Sequence, residues 1–205
     1  MSFKSKGPAL LPSRTHHFVR WSRWLLLIAG IFALTYVGLT LLDAKLFQVS
    51  AKHTLETQIK MVKSAKIGES RPIIQDGDIL GRLDIPRLGV SVAVLQGTGP
   101  RVLRLGAGHI EGTPLPGDPG NSGIAGHRDT FFRELRDIRK DDEIQFQTPT
   151  ALLRYLVDWV KVVEPNDTAV LEPSTTESTL TLVTCYPFQF LGSAPERFVV
   201  HARRR

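Results

Sequence analysis

Two hydrophobic periods divide the chain. From Trp24 to Leu42 no charged residue interrupts a stretch of 19 residues, which as a helix spans about 28 Å, close to the hydrocarbon thickness of a bilayer. This predicts a transmembrane helix. The alternative, a cleaved signal peptide, has an apolar segment of about 7–15 residues, and no small-x-small cleavage pattern comes after Leu42. Ala44, Phe47, Ala51, Leu55, Ile59 and Val62 then step by three or four, the spacing of an amphipathic helix that either extends as a stalk or packs on the C-terminal domain. A partly frayed spacer fits the same residues. Pro72, Gly77 and mixed charge mark residues 68–77 as a linker.

From Ile79 onward the period shortens to two. Leu83 and Ile85 alternate with polar residues before Pro86, and Val90, Val92 and Val94 alternate across Ser91 and Ala93. Residues 106–123 are dense in glycine and proline and read as loop, leading through Ile124 and Ala125 to Gly126-His127-Arg128-Asp129. Phe131, Phe132 and Leu135 suggest a short helical turn, and Ile144 with Phe146 another strand. In a longer strand, Leu153, Tyr155, Val157 and Trp159 are expected on one face with Val160 and Val162 opposite. Asn166 and Asp167 turn the chain into two last strands, Thr179 to Cys185 and Arg197 to Ala202. Many short strands joined by turn-rich loops predict an all-β, closed or nearly closed barrel with short helices, preceded by the transmembrane helix. The expected organisation is a basic tail (1–23), the span (24–42), a juxtamembrane helix and linker (43–78) and the barrel domain (79–205).

Charge sharpens this layout. The formal charge is +6, but Lys4, Lys6, Arg14, Arg20 and Arg23 precede the apolar run and Arg203, Arg204 and Arg205 end the chain. Such clusters act as topology signals or solvated tails and not as a nucleic-acid surface. The basic tail is therefore expected, disordered, on the cytoplasmic side, with everything after Asp43 outside a cytoplasmic membrane.

Cys185 is the single cysteine, so an intramolecular disulfide is excluded and zinc-type thiolate spacing is absent. The six histidines form no HExxH-like pair. No metal or cofactor is expected, although calcium held by scattered carboxylates and carbonyls stays open. A lone cysteine often behaves as a small buried hydrophobe. Nucleophilic chemistry needs the thiolate, and a free thiol titrates only near pH 8.5, roughly, so a reactive Cys185 calls for a histidine and a fixed positive charge nearby. His127, His109 and Arg197 are the candidates. His127 comes after the small residues Gly123-Ile124-Ala125-Gly126, where an imidazole could project at a strand end, and Arg197 lies where an adjacent strand would come after Cys185. A guanidinium stays charged and can hold a developing oxyanion without proton transfer.

Three segments resemble those of the sortases, membrane-anchored cysteine transpeptidases, in particular class D. Thr181-Leu182-Val183-Thr184-Cys185 is similar to the sortase TLxTC signature, Asn121 to Asp129 to the segment holding the family's histidine, and Gly192 to Phe198 to that holding its arginine. The Tyr186-Pro187-Phe188 continuation and Ala194-Pro195-Glu196-Arg197 incline the resemblance to class D. It implies a sortase barrel of about eight strands, with Cys185 as nucleophile, His127 as acid and base, and Arg197 steadying the oxyanion or the substrate backbone. His109 resembles a histidine beside the sortase pocket, in a supporting or structural role, and Thr184 is expected to add a hydrogen bond near the site. The implied substrate is an LPxTG-like sorting signal of secreted proteins, cleaved between Thr and Gly through a thioester. The implied acceptor is an amine of a cell-wall precursor or another protein. One departure is Asp141, where the resemblance leads to a glycine before the aspartate of a turn.

Other readings stay open. An L,D-transpeptidase usually carries His and Cys within one motif and a papain-like hydrolase carries Cys before His, whereas His127 precedes Cys185. A tethered binding module with an inert thiol is the non-enzymatic alternative.

Overall fold

The computed structural model describes residues 14–64, 74–172, 177–190 and 192–205. They fall into two compact units, Met1–Leu42 and Asp43–Arg205. The described part of the first is helix, the beginning of α1, Arg14–Ser64. Trp24, Leu25, Leu26, Ile31, Phe32 and Leu34 are all exposed along it, an arrangement that favours lipid over water. Among the described residues one helical stretch, Trp21–Ile59, is long and apolar enough to cross a membrane. The helix begins at Arg14, within the segment expected to be a disordered tail, because no proline or glycine lies between Pro12 and Gly30 to break it. Residues 1–13 of that tail and 65–73 of the expected linker lie outside the described residues.

In the second unit eight strands close a barrel in the order β1-β2-β3-β4-β7-β8-β6-β5. They are β1 (Ile79–Ile85), β2 (Val90–Gln96), β3 (Ala107–His109), β4 (Gly120–Ala125), β5 (Glu143–Gln147), β6 (Leu152–Val163), β7 (Ser178–Tyr186) and β8 (Glu196–Arg204). Between them lie α2 (Pro100–Leu105) and short 3-10 turns at Pro86–Leu88, Arg133–Asp137 and Ala169–Leu171. The barrel is the all-β architecture expected from the two-residue period. Leu83, Ile85, Val92, Val94, Ile144, Phe146, Tyr155, Leu180, Leu182, Val200 and Ala202 point inward as alternate residues of their strands and share one core. Full burial of a Leu or Ile of this kind contributes about 1.5–3 kcal/mol.

Two expectations change. The stretch 106–123, read as loop, contains β3 and the start of β4. Glycine hid them, and close packing explains it: a Cβ on Gly108 would sit 2.2 Å from the Gly97 carbonyl oxygen, and one on Gly106 2.4 Å from that of Ala93. Trp159 does not share a face with Leu153, Tyr155 and Val157. A bulge between Val157 and Trp159 shifts the β6–β8 register, so Trp159 turns outward and stacks on His201 at 4.9 Å, while Val160 packs against the core.

The second half of α1 packs on the barrel. Ala51 and Leu55 are buried. The Gln48 carboxamide accepts the Ala93 amide at 2.9 Å and donates to the Leu105 carbonyl. The helix expected over 44–62 thus meets the domain through Gln48, Ala51 and Leu55.

The turn into β5 accounts for Asp141. It has φ 67°, the one non-glycine residue with positive φ among those described, so the backbone there asks for the glycine that the resemblance led us to expect. Asp is among the few side chains that tolerate this region. Next to it, Asp142 accepts from Arg87 Nε and Nη2 at 2.5 Å and from the Arg139 amide at 2.7 Å. The hydrogen bond from Arg87 is the main cause holding the Asp142 carboxyl below the usual carboxylate range.

Asp141→Gly is expected to stabilise the fold by about 0.5–1 kcal/mol, read as a higher urea midpoint at unchanged slope. A carboxyl whose pKa is lower folded than unfolded contributes stability above its unfolded value, near pH 4, roughly, and loses it as pH falls through the folded value. Arg87→Met should therefore shrink the difference between urea stabilities at pH 7 and pH 3; an unchanged difference would remove Asp142 from the acid limb.

Candidate active site

Three neighbouring strands set the geometry. Strands β4 and β7 run parallel, with Gly123 opposite Thr181 and Ala125 opposite Val183. Strands β7 and β8 run antiparallel, with Val183 opposite Val199 and Cys185 directly opposite Arg197. Leu180 and Leu182 face the core, so by alternation Thr181, Val183 and Cys185 face outward, as do Arg197, Val199 and His201. Strand β7 ends at Tyr186, where Pro187 supplies no amide hydrogen to continue the ladder.

Strand β4 ends at Ala125, opposite Val183, and His127 comes two residues later, as Cys185 does after Val183. The two chains are stitched just before this point: the Gly126 amide donates to the Val183 carbonyl at 3.1 Å, and the Thr184 hydroxyl to the Gly126 carbonyl at 2.7 Å. Thr184 is buried, so its hydroxyl does not meet substrate; it ties the residue before His127 to the residue before Cys185. His127 itself is exposed, while Cys185 and Arg197 are half-buried. Cys185 and Arg197 thus face each other across the β7–β8 ladder, and the sulfur is only half-buried.

Arg197 Nη1 donates to the carbonyls of Glu196 (2.9 Å) and Ala194 (3.3 Å). A guanidinium has five donors, and among the described residues it makes no other hydrogen bond, so Nε and Nη2 can receive a substrate oxygen.

His109 is not part of this arrangement. It is 2 % exposed and both ring nitrogens are engaged. The Thr113 hydroxyl donates to the Ile110 carbonyl, so it accepts from His109 Nε2 (3.1 Å), which also donates to the Pro114 carbonyl (2.9 Å). Nδ1 lies 3.0 Å from the Gln96 carboxamide. Burial pushes this imidazole below its ordinary pKa, opposed in part by the bond to Pro114. His109 therefore bonds the 110–114 turn to β3.

The outward face beside the rim is shaped by residues not anticipated from the sequence. The Asn121 side chain donates to the carbonyls of Val170 (3.0 Å) and Glu172 (3.3 Å) and accepts from the Thr181 hydroxyl at 2.7 Å. It holds the described part of the β6–β7 connection over β4. There Ile110 and Leu171 crowd Gly123 so closely that a Cβ would lie 3.0 Å from each. Arg128, next to His127, donates through Nη2 to the carbonyls of Phe190 (2.7 Å) and Gly192 (3.3 Å). A buried Asn and an Arg beside a His carry no periodic signal, so only their contacts reveal them. Among the described residues no group of three or more His, Cys, Asp or Glu side chains could hold a metal ion.

Comparison with known proteins agrees with this architecture. A family model described as a sortase domain matches residues 83–205. Sortase D of Bacillus subtilis (strain 168) is 28% identical over 165 residues, which span 80% of this chain and 82% of that protein. Among solved structures, a Clostridium perfringens sortase D5 transpeptidase superposes with a TM-score of 0.64 at 29% identity, covering 80% of this chain and 98% of its own. A Clostridium perfringens sortase C, solved with the C-terminal cell wall sorting motif, superposes with a TM-score of 0.61 at 27% identity, over 74% of this chain and 87% of its own.

Thr184→Val keeps the shape and removes the hydroxyl bond to Gly126. It should cost about 1–3 kcal/mol in urea unfolding, the range for a buried hydrogen bond whose acceptor is left behind; a loss under about 0.5 kcal/mol would mean the carbonyl has another donor.

Proposed function

The chain belongs to the sortase family of cysteine transpeptidases, which act on sorting signals, and from that premise we propose that Cys185, His127 and Arg197 carry the reaction through a thioester. The observation supporting this most is the direct cross-strand pairing of Cys185 with Arg197, at the end of β7 beside which the parallel strand β4 leads toward His127.

The Cys185 thiolate attacks the carbonyl carbon of the scissile peptide, an LPxTG-like bond between Thr and Gly. Charge moves onto the carbonyl oxygen, where Nε and Nη2 of Arg197 can donate without proton transfer. The tetrahedral centre collapses, the C–N bond breaks, and His127 as imidazolium gives its proton to the departing amine. A thioester on Cys185 remains. The second half reverses the roles: an incoming amine attacks the thioester, His127 accepts its proton, and the thiolate leaves. Sulfur suits both halves, being a strong nucleophile whose ester stays reactive toward amines. No step requires a cofactor. The acceptor in this reading is an amine of a cell-wall precursor or of another protein.

The apolar helix is assigned as a single-pass anchor in the cytoplasmic membrane. The basic residues ahead of it lie on the cytoplasmic side and the barrel outside, by the preference of Lys and Arg for that side. The secreted substrates and the wall-borne amine would both be found where the barrel sits.

The test uses the detergent-solubilised full chain with an LPxTG-type peptide. Mass spectrometry should detect an acyl adduct on Cys185 that hydroxylamine or a glycine-like amine converts to a new amide product. Cys185→Ala should form none, and His127→Ala and Arg197→Ala should acylate at least about a hundredfold more slowly while remaining folded. Product that is only the free acid, whatever amine is added, would make the protein a hydrolase; no adduct and a thiol inert to alkylation would make it a binding module.

A further inference from the structure

The loop between β7 and β8 joins Cys185 to Arg197; Phe188 holds its start against the core and the Phe198 ring, whereas the described residues after it are held mainly by side chains. Gln189, Phe190, Gly192, Ser193 and Pro195 are exposed. Among the described residues its backbone receives hydrogen bonds from two side chains alone. Arg128 Nη2 donates to the Phe190 and Gly192 carbonyls, and Arg197 Nη1 to the Ala194 carbonyl. Arg128 also lies over the Phe190 ring, with its guanidinium carbon 5.9 Å from the centroid. Its Nη1 is removed from water and has no hydrogen-bond partner, so the guanidinium is held against the loop even though one of its donor groups stays unsatisfied.

The two arginines thus form a strap across the rim. One end starts at the residue after His127, the other ends in the guanidinium assigned to the oxyanion, and the loop lies between them. We propose that Arg128 is a positioning residue of the transpeptidase: by gripping the β7–β8 loop it sets where Arg197 presents its free donors beside Cys185. This rests on the role given to Arg197 in the acyl transfer. A planar fork can bond two carbonyls at once, whereas a lysine ammonium on a flexible stem is a poor substitute.

The test is a double-mutant cycle on the full chain in detergent, with acylation by an LPxTG-type peptide and hydrogen exchange of the 186–197 segment measured without substrate. Arg128→Met should lower kcat/KM for acylation at least about tenfold when Arg197 is present and less than about twofold in an Arg197→Ala background, because removing the positioned group removes the reason to position it. The loss should fall mainly on kcat, Arg128→Lys should recover little of it, and exchange in 186–197 should accelerate while the rest of the barrel exchanges as before. Equal losses in both backgrounds, or full recovery by Arg128→Lys, would overturn the proposal. If Arg128→Met does not fold, the same cycle with Arg128→Lys decides. Should the unaltered chain form no thioester, the acyl-transfer reading fails by itself; exchange then decides the strap, faster exchange supporting it and unchanged exchange overturning it.

Discussion

The site depends on strand register. Because side chains alternate with a period of two, slipping β7 by one residue against its neighbours would turn Cys185 inward and Leu182 outward. What prevents the slip is not at the rim. Leu180 and Leu182 are withdrawn from water in the barrel core with Val200 and Ala202 of β8, and a one-residue slip of β7 would turn both leucines out of that core and put Thr181 and Val183 into it. The hydrophobic effect acting in the interior thereby fixes the placement of polar groups at the edge. Asn121 with Thr181 on the outward face and Thr184 with Gly126 on the other lock the parallel β4–β7 pair by hydrogen bonds.

The polar groups at the strand ends make few contacts with this core. His127 is exposed and Arg197 leans on its own chain through the Ala194 and Glu196 carbonyls. Support comes instead from buried neighbours close by in the chain: Thr184 before Cys185, Gly126 before His127, Val199 beyond Arg197. His109 belongs with these supports. A buried imidazole using both nitrogens on Gln96, Thr113 and Pro114 organises a turn.

Much of this was legible in the sequence, for physical reasons. The alternation through Val90–Val94 and Thr179–Cys185 records which residues face the barrel core, and the uncharged stretch Trp24 to Leu42 records an apolar helix. Strands β3 and β4 were obscured because their neighbours approach too closely for side chains, and glycine erases the alternation that announces a strand. Trp159 was misplaced because a bulge inverts the faces, and a bulge leaves no mark in a two-residue pattern. Asp141 is the opposite case, a departure that made sense once its φ of 67° was known. Asn121 and Arg128 became visible only through the carbonyls they hold, since such long-range partners have no signature in local order.

The most direct measurement is a crystal structure of the protein with a sorting peptide joined to Cys185 as a disulfide mimic of the acyl intermediate. The peptide is expected to lie along the outer face of β4 and β7, with the atom standing for the carbonyl oxygen within hydrogen-bond distance of Arg197 and the leaving-group side facing His127. A peptide leading away from that face, with the Arg197 guanidinium still turned wholly onto the Ala194 and Glu196 carbonyls, would contradict the assignment of these three residues to one reaction.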